Sequence, residues 1–150
     1  MRKSVNSLSV PRKKGAYSQV LKVGDFVFIS GQVGLNKDLS ISESLEDQVK
    51  TIFTNTNLLL EELKMHINQV VRTVIYVVEG VDMEVVDKIY EAQFKHPLPA
   101  RSVIFVNRLE EKAGLIEISF DAIDLSAYEA MQGCSGDGCD GCEDEDCEHS

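Results

Sequence analysis

The sequence predicts an α+β two-layer domain, with two helices sharing one face of a single sheet. Three observations carry that reading. Apolar residues alternate or run continuously through five short β-rich segments. They switch to a helical period in two longer segments. The resulting order is β-β-α-β-α-β-β, without internal repeats. At 150 residues, the chain is long enough for one domain around one sizeable core.

Each element has its own signature. The stretch "YSQVLKVGDFVFISGQVGL" supplies two strands joined by a turn at Gly24–Asp25, with Phe26, Phe28 and Ser30 alternating against Val27 and Ile29. The period then changes. Leu45, Val49, Ile52, Phe53, Thr56, Leu59, Leu60 and Leu63 fall on one helical face, and Ser44 with Asp47 has the form of a capping box. "VVRTVIYVVEG" (70–80) is β-branched and nearly continuous, as a central strand requires. Asp82 caps a second helix through Phe94 with Val86, Ile89, Tyr90 and Phe94 inward, and Pro97 and Pro99 stop it. "RSVIFVNRL" and "LIEISFDAI" complete the sheet, giving four to six strands in all. With both helices on one face, strand 70–78, apolar on both sides, predicts that another copy of the chain covers the other face.

Charge divides the chain in two. Net charge is −10, yet residues 127–150 hold eight Asp and Glu and no Lys or Arg, so the remainder is near neutral. Neither part offers the dense positive stripe of a nucleic-acid binder, and the cluster Arg12, Lys13, Lys14 reads as a solvated terminus. No apolar run reaches 18 residues, so no membrane span is expected. The basic N-terminal segment lacks the apolar core of a secretory signal. All four cysteines lie in the acidic tail, and a body without cysteine fits a reducing cytoplasm.

These shifts divide the chain into a folded domain, 1–128, and an acidic, cysteine-rich tail, 129–150. Cys134, Cys139, Cys142 and Cys147 follow the pattern C-x4-C-x2-C-x4-C, with His149 after them. Zinc sites pair two short spacings, and only one C-x2-C is present. Gly, Ser and like charges cannot build a core, so the favoured reading of the tail is disorder without metal. Adventitious soft-metal binding is the alternative.

Candidate chemistry sits at strand ends, in "GAYSQ" (15–19), "ISGQVG" (29–34) and "PARS" (99–102), and at Glu117, one acid inside an apolar strand. Arg101 opens another apolar strand, and a guanidinium there needs an anionic partner. Two readings compete. Arg101 and Glu117 pair with each other across neighbouring strands as a structural bridge, or each serves a ligand. Tyr17 is likewise a core ring or a pocket residue, and Gly31 and Gly34 serve a bulge or a site. His66 and His96 read as surface or packing residues.

Taken together, "GAYSQ", "FISGQ", "PARS" and "IEISFDAI", in this order and at these separations, resemble the reactive-intermediate deaminase family, also called YjgF or L-PSP. The likeness spans roughly residues 10 to 125. It implies a chorismate-mutase-like domain, assembled as a homotrimer with sites in the clefts between subunits. It also implies hydrolysis of small enamines and imines, such as 2-aminoacrylate or 2-iminopropanoate, to 2-oxo acids and ammonia, without metal or organic cofactor. By this resemblance Arg101 holds the substrate carboxylate and Glu117 positions the attacking water. Tyr17, Ser30 and Gly31 line the pocket, and the backbone carbonyl of Val103 helps hold the water. Two positions depart from the family pattern: Val103 replaces a frequent Cys or Thr, and Asp87 a frequent Asn. The loop "RLEEKAG" is one residue longer than usual. A ligand-sensing trimer without turnover is the competing function. Ribonuclease activity is disfavoured by the acidic tail and by the lack of a catalytic histidine pair.

Overall fold

The computed structural model describes residues 1–132. Its elements are β1 (Arg2–Val5), β2 (Val20–Val23), β3 (Phe26–Val33), α1 (Leu45–Glu62), β4 (Val70–Val78), α2 (Met83–Gln93), β5 (Ala100–Val106), β6 (Ile116–Ile123) and α3 (Ser126–Gln132), with a 3₁₀ turn at Ile67–Gln69. One six-stranded sheet has the order β1-β2-β3-β6-β4-β5. All pairings are antiparallel except β4 with β5, whose parallel connection is made by α2.

The expected elements form for the expected reasons. The β2–β3 hairpin turns at Gly24, whose φ of 60° suits a residue without a side chain. Ser44 caps α1 by accepting from the Asp47 amide. The reciprocal half of the capping box is absent, because the Asp47 carboxylate accepts from the Ser42 hydroxyl instead. Asp82 caps α2 in the same way, accepting from the Glu84 amide.

Both helices lie on one face of the sheet, and the core forms between. Phe53 of α1 sits at its centre, in edge-to-face contact with Tyr90, Phe94 and Phe120 at 5.8–5.9 Å. Val27 and Ile29 of β3, and Ile116, Ile118, Phe120 and Ala122 of β6, point into this layer. Their neighbours along each strand point to the opposite face. There the described chain covers only one end, where Leu35 and Leu109 pack on Val33, Tyr76, Val78 and Val106. Phe26, Phe28 and Ile104 stay exposed on that side.

Two elements were not foreseen. β1 extends the sheet as an edge strand, with Arg2 opposite Val23 and Val5 opposite Val20. Its sequence, RKSV, carries no apolar alternation; the strand is held by its ladder to β2 and by Val5, which packs on the core. α3 begins at Ser126 on a cap from Asp124, so the boundary drawn at residue 128 falls inside a helix. The residues 129–132, assigned to a disordered tail, are therefore helical. Cys134, Cys139, Cys142 and Cys147, with the metal and disorder readings attached to them, lie outside the described residues.

Candidate functional site

The strand ends build a cleft on the sheet's open face. β3 and β6 pair in register from Phe26↔Ile123 to Ile29↔Phe120, then slip by one residue before Gln32↔Ile118 and Val33↔Glu117. The slip falls at Ser30–Gly31 and makes a bulge. Ser30 is held in it from both ends: its amide donates to the Gln19 carbonyl at 3.0 Å, and its hydroxyl to the Ser18 carbonyl at 2.7 Å. Gly31 lies beneath the Glu117 side chain. A Cβ there would meet Glu117 Oε1 at 2.2 Å, so any larger residue displaces the carboxylate. The glycine is required by the acid above it.

Residues 11–17 form the other wall. Gln19, fully buried, anchors this segment by accepting from the Ser7 amide and donating to the carbonyls of Val10 and Pro11. Arg12 stacks on the Tyr17 ring at 4.8 Å and donates to the Gly15 and Tyr17 carbonyls. The Tyr17 hydroxyl donates to the Lys13 carbonyl at 3.1 Å. Lys13 then reaches down to Glu117, with Nζ 3.0 Å from Oε2. The result is a cleft of ≈ 340 Å³ lined by Lys13, Tyr17, Ser30, Gly31, Glu110 and Glu117 among others. The reading of Arg12–Lys14 as a solvated terminus is thus overturned for Arg12 and Lys13. Their charges are taken up by an aromatic face and a strand-borne carboxylate; Arg12 and Lys14 stay exposed, and Lys13 is half-buried. No feature of the basic run itself pointed there; the signal was its distance of only four residues from Tyr17.

Arg101 lies elsewhere. β5 and β6 are not neighbours, since β4 runs between them. Arg101 pairs in register with Thr73, which faces the helices and shares a 2.8 Å hydrogen bond with the Tyr90 hydroxyl. Burial pushes that phenol above its ordinary pKa, with the Thr73 bond and Arg101 opposing the shift. The Arg101 guanidinium sits over the Tyr90 ring at 5.2 Å and donates to Asp87 Oδ1 at 2.6 Å. Val103, on the same side of β5, packs against the main core. Glu117, opposite Tyr76 and Val33, is on the other face. A bridge between Arg101 and Glu117 is therefore excluded within one chain: each has its own counter-ion, Asp87 and Lys13 respectively. Of the expected site residues, Tyr17, Ser30, Gly31 and Glu117 converge. Arg101 and Val103 do not join them.

Arg101 forms a second recess of ≈ 350 Å³ with Asp87, Tyr90, Glu91, Leu98 and Pro99. Chemically, one hollow presents a guanidinium fork, suited to a carboxylate. The other presents a carboxylate with one oxygen tied down and a serine and a tyrosine beside it. His96 is exposed, and among the described residues no histidine lines either hollow.

Comparison with known proteins agrees with this architecture. The profile of the family described as Endoribonuclease L-PSP matches residues 8–124. A Reactive Intermediate Deaminase A, chloroplastic, from Arabidopsis thaliana is 35% identical over 107 residues, covering 70% of this chain and 57% of its own. A 2-iminobutanoate/2-iminopropanoate deaminase from Dermatophagoides farinae is 30% identical over 105 residues, covering 69% and 82%. Among solved structures, RidA from the Antarctic bacterium Psychrobacter sp. PAMC 21119 superposes with a TM-score of 0.76 at 28% identity, over 81% of this chain and 98% of that one.

Proposed function

Because the chain belongs to the endoribonuclease L-PSP family, that of the reactive-intermediate deaminases, we propose that it hydrolyses small 2-imino acids to 2-oxo acids and ammonia. We propose further that it does so at a site shared between copies. The observation that carries this reading is the placement of Arg101 and Glu117 on opposite faces of one sheet. A site that uses both must take them from different chains. The exposed apolar side chains of the open face, Phe26, Phe28 and Ile104, supply the surface for that association. A closed ring of three copies, each lending Arg101 to the next, satisfies every chain equally.

At such a site the Arg101 fork binds the substrate carboxylate and fixes the adjacent imine carbon. That carbon is already electrophilic, so neither metal nor organic cofactor is invoked. Water held by Glu117 and by the Val103 carbonyl of the copy that lends Arg101 adds to C2, forming the C–O bond as the C=N π electrons move to nitrogen. Glu117 accepts the water's proton and returns it to nitrogen. In the carbinolamine, Glu117 then carries the hydroxyl proton to the amino group; the oxygen's electrons form the C=O bond as the C–N bond breaks, releasing ammonia and leaving the 2-oxo acid. Tyr17 and Ser30 line the path. The acid–base contribution is roughly 10²–10⁴-fold.

The direct test is ammonia release from enzymatically generated 2-aminoacrylate, with and without the protein. A second measurement addresses the shared site. An Arg101→Ala variant, which loses both the charge and the fork, and a Glu117→Gln variant are each expected to lose nearly all activity. Mixed in equal amounts and reassembled, they should regain activity at roughly a quarter of the sites, those pairing the intact Arg101 of one with the intact Glu117 of the other. Faster ammonia release by the wild type, without any recovery on mixing, would refute the shared site. A sedimentation experiment showing only a 16.7 kDa species would do the same.

A further inference from the structure

Lys13 lines the cleft but has no part in the proposed reaction, and the chain takes unusual trouble to place it. Its side chain is 15% exposed and its ammonium contacts the 22%-exposed Glu117 at 3.0 Å. A second acid, Glu110, is 3.9 Å away and 83% exposed, too distant for a hydrogen bond and largely solvated. Lys13 therefore belongs to Glu117. The segment carrying it is tied at both ends. Gln19 holds the carbonyls of Val10 and Pro11 on one side; Arg12 and the Tyr17 hydroxyl lock the backbone of 13–17 on the other. A lysine stem ordinarily keeps its rotamer freedom at a surface, and this one has been made to surrender it.

The contact divides the labour of the carboxylate. Glu117 Oε2 is engaged by Lys13, whereas Oε1 overhangs the bare Cα of Gly31, where a methyl group would stand only 2.2 Å away. Lys13 pulls from one side, and the glycine leaves room on the other. With Oε2 occupied, Oε1 is the oxygen left to orient a small molecule entering beside Ser30 and Tyr17. Resting on the deaminase reading for its chemistry, we infer that Lys13 is a positioning residue for Glu117. It clamps one carboxylate oxygen so that the other is held at a single orientation toward the attacking water. Lys13 does not itself touch the substrate. The segment 11–17 thereby becomes part of the catalytic apparatus, not merely a wall.

The test uses the 150-residue chain with Lys13→Met, which keeps the stem, and Lys13→Arg, which keeps the cation. Two readouts are needed. In the absence of substrate, NMR couplings of the Glu117 γ-protons in glutamate-labelled protein are expected to show one rotamer in the wild type and Lys13→Arg, and averaged rotamers in Lys13→Met. In turnover of enzymatically generated 2-aminoacrylate, Lys13→Met is expected to lower kcat by about 10- to 100-fold, the cost of a misplaced reacting group, with KM within twofold. Lys13→Arg should recover most of that loss. A single Glu117 rotamer retained in Lys13→Met overturns the clamp. So does a KM that rises while kcat holds, which would make Lys13 a substrate ligand. A wild type that turns over nothing, while the rotamer still collapses in Lys13→Met, refutes the deaminase reading and leaves the clamp standing.

Discussion

The two hollows of this chain have been prepared to different degrees. Around Glu117, four segments converge: the bulge at Ser30–Gly31, the arch of residues 12–17, the strand β6 and the loop that brings Glu110. Its acid has a partly buried counter-ion and a glycine cut to fit beneath it. Around Arg101 there is an edge strand, one helix and a proline corner, and its counter-ion Asp87 is half exposed. Around Glu117 the contacts close within one chain, whereas Arg101 faces outward, free for the completion by a second copy proposed above. On the proposed reading, the geometry that aims the carboxylate is built inside a subunit. Recognition of a carboxylate tolerates delivery from outside, since a charged fork carries its own orientation.

That contrast predicts unequal sensitivity to substitution. The largest loss is expected on the finished side. Glu117→Gln keeps the shape and can still hydrogen-bond Lys13, but it cannot take up a proton. Its kcat should fall by about 10²–10⁴-fold with KM little changed. Melting temperature, followed on the same preparation, should move by no more than a few degrees, because Arg101 is not its partner. A variant that melts far earlier yet turns over normally per folded molecule would break the comparison. Gly31→Ala should follow, at up to about 100-fold in kcat, because the new methyl must push the carboxylate from its place. Normal kcat in Gly31→Ala would mean that Glu117 can shift without consequence.

How much of this was legible in the sequence depended on what each feature relied upon. Buried periodicity was visible, so β2 to β6 and both long helices could be read, down to Val49, Ile52, Phe53, Leu59 and Leu60 on the inner face of α1. Gln48 and Asn55 of that helix, although buried, could not. Their amides serve distant backbone, Gln48 meeting the Ala113 carbonyl and the Leu115 amide, and Asn55 the Leu35 carbonyl. Tyr17, Ser30, Gly31 and Glu117 were legible one by one, because polar residues at strand ends stand out from apolar runs; Lys13 and Glu110, in a basic run and a charged loop, were not. Their division between two faces was not. It depends on the strand order, which places β4 between β5 and β6, and on a one-residue slip in β3. A one-residue slip reverses every side chain beyond it, and no local pattern records it.

On the arginine side the effects should be smaller and fall mainly on binding. Arg101→Lys keeps the charge but loses the fork and much of the stacking on Tyr90. A charge-assisted hydrogen bond is worth about 1.5–3 kcal/mol, so kcat/KM should fall roughly 10- to 100-fold, chiefly through KM. The sheet does not depend on it, and secondary structure by circular dichroism should be unchanged. Unfolding of this variant would make the Asp87–Arg101–Tyr90 stack a structural element and narrow the contrast between the two hollows.

The smallest and most informative effect is expected at Asp87. Its carboxylate receives Arg101 Nη1 at 2.6 Å, the very donor set a substrate carboxylate would use. Because its side chain is 51% exposed, the pair is worth no more than about 1 kcal/mol. Removing the competing charge by Asp87→Asn keeps a hydrogen-bond acceptor for Arg101 while freeing its charge for the ligand. KM for a monocarboxylate imine should fall, by about fivefold at most, with kcat unchanged. One kcal/mol corresponds to about that factor. The effect should shrink as salt is raised, since an exposed pair is already screened. The opposite result, a higher KM in the asparagine variant, would show that Asp87 earns its place by aiming the guanidinium. The arginine half would then be as prepared as the acid half, and the difference drawn between them would disappear.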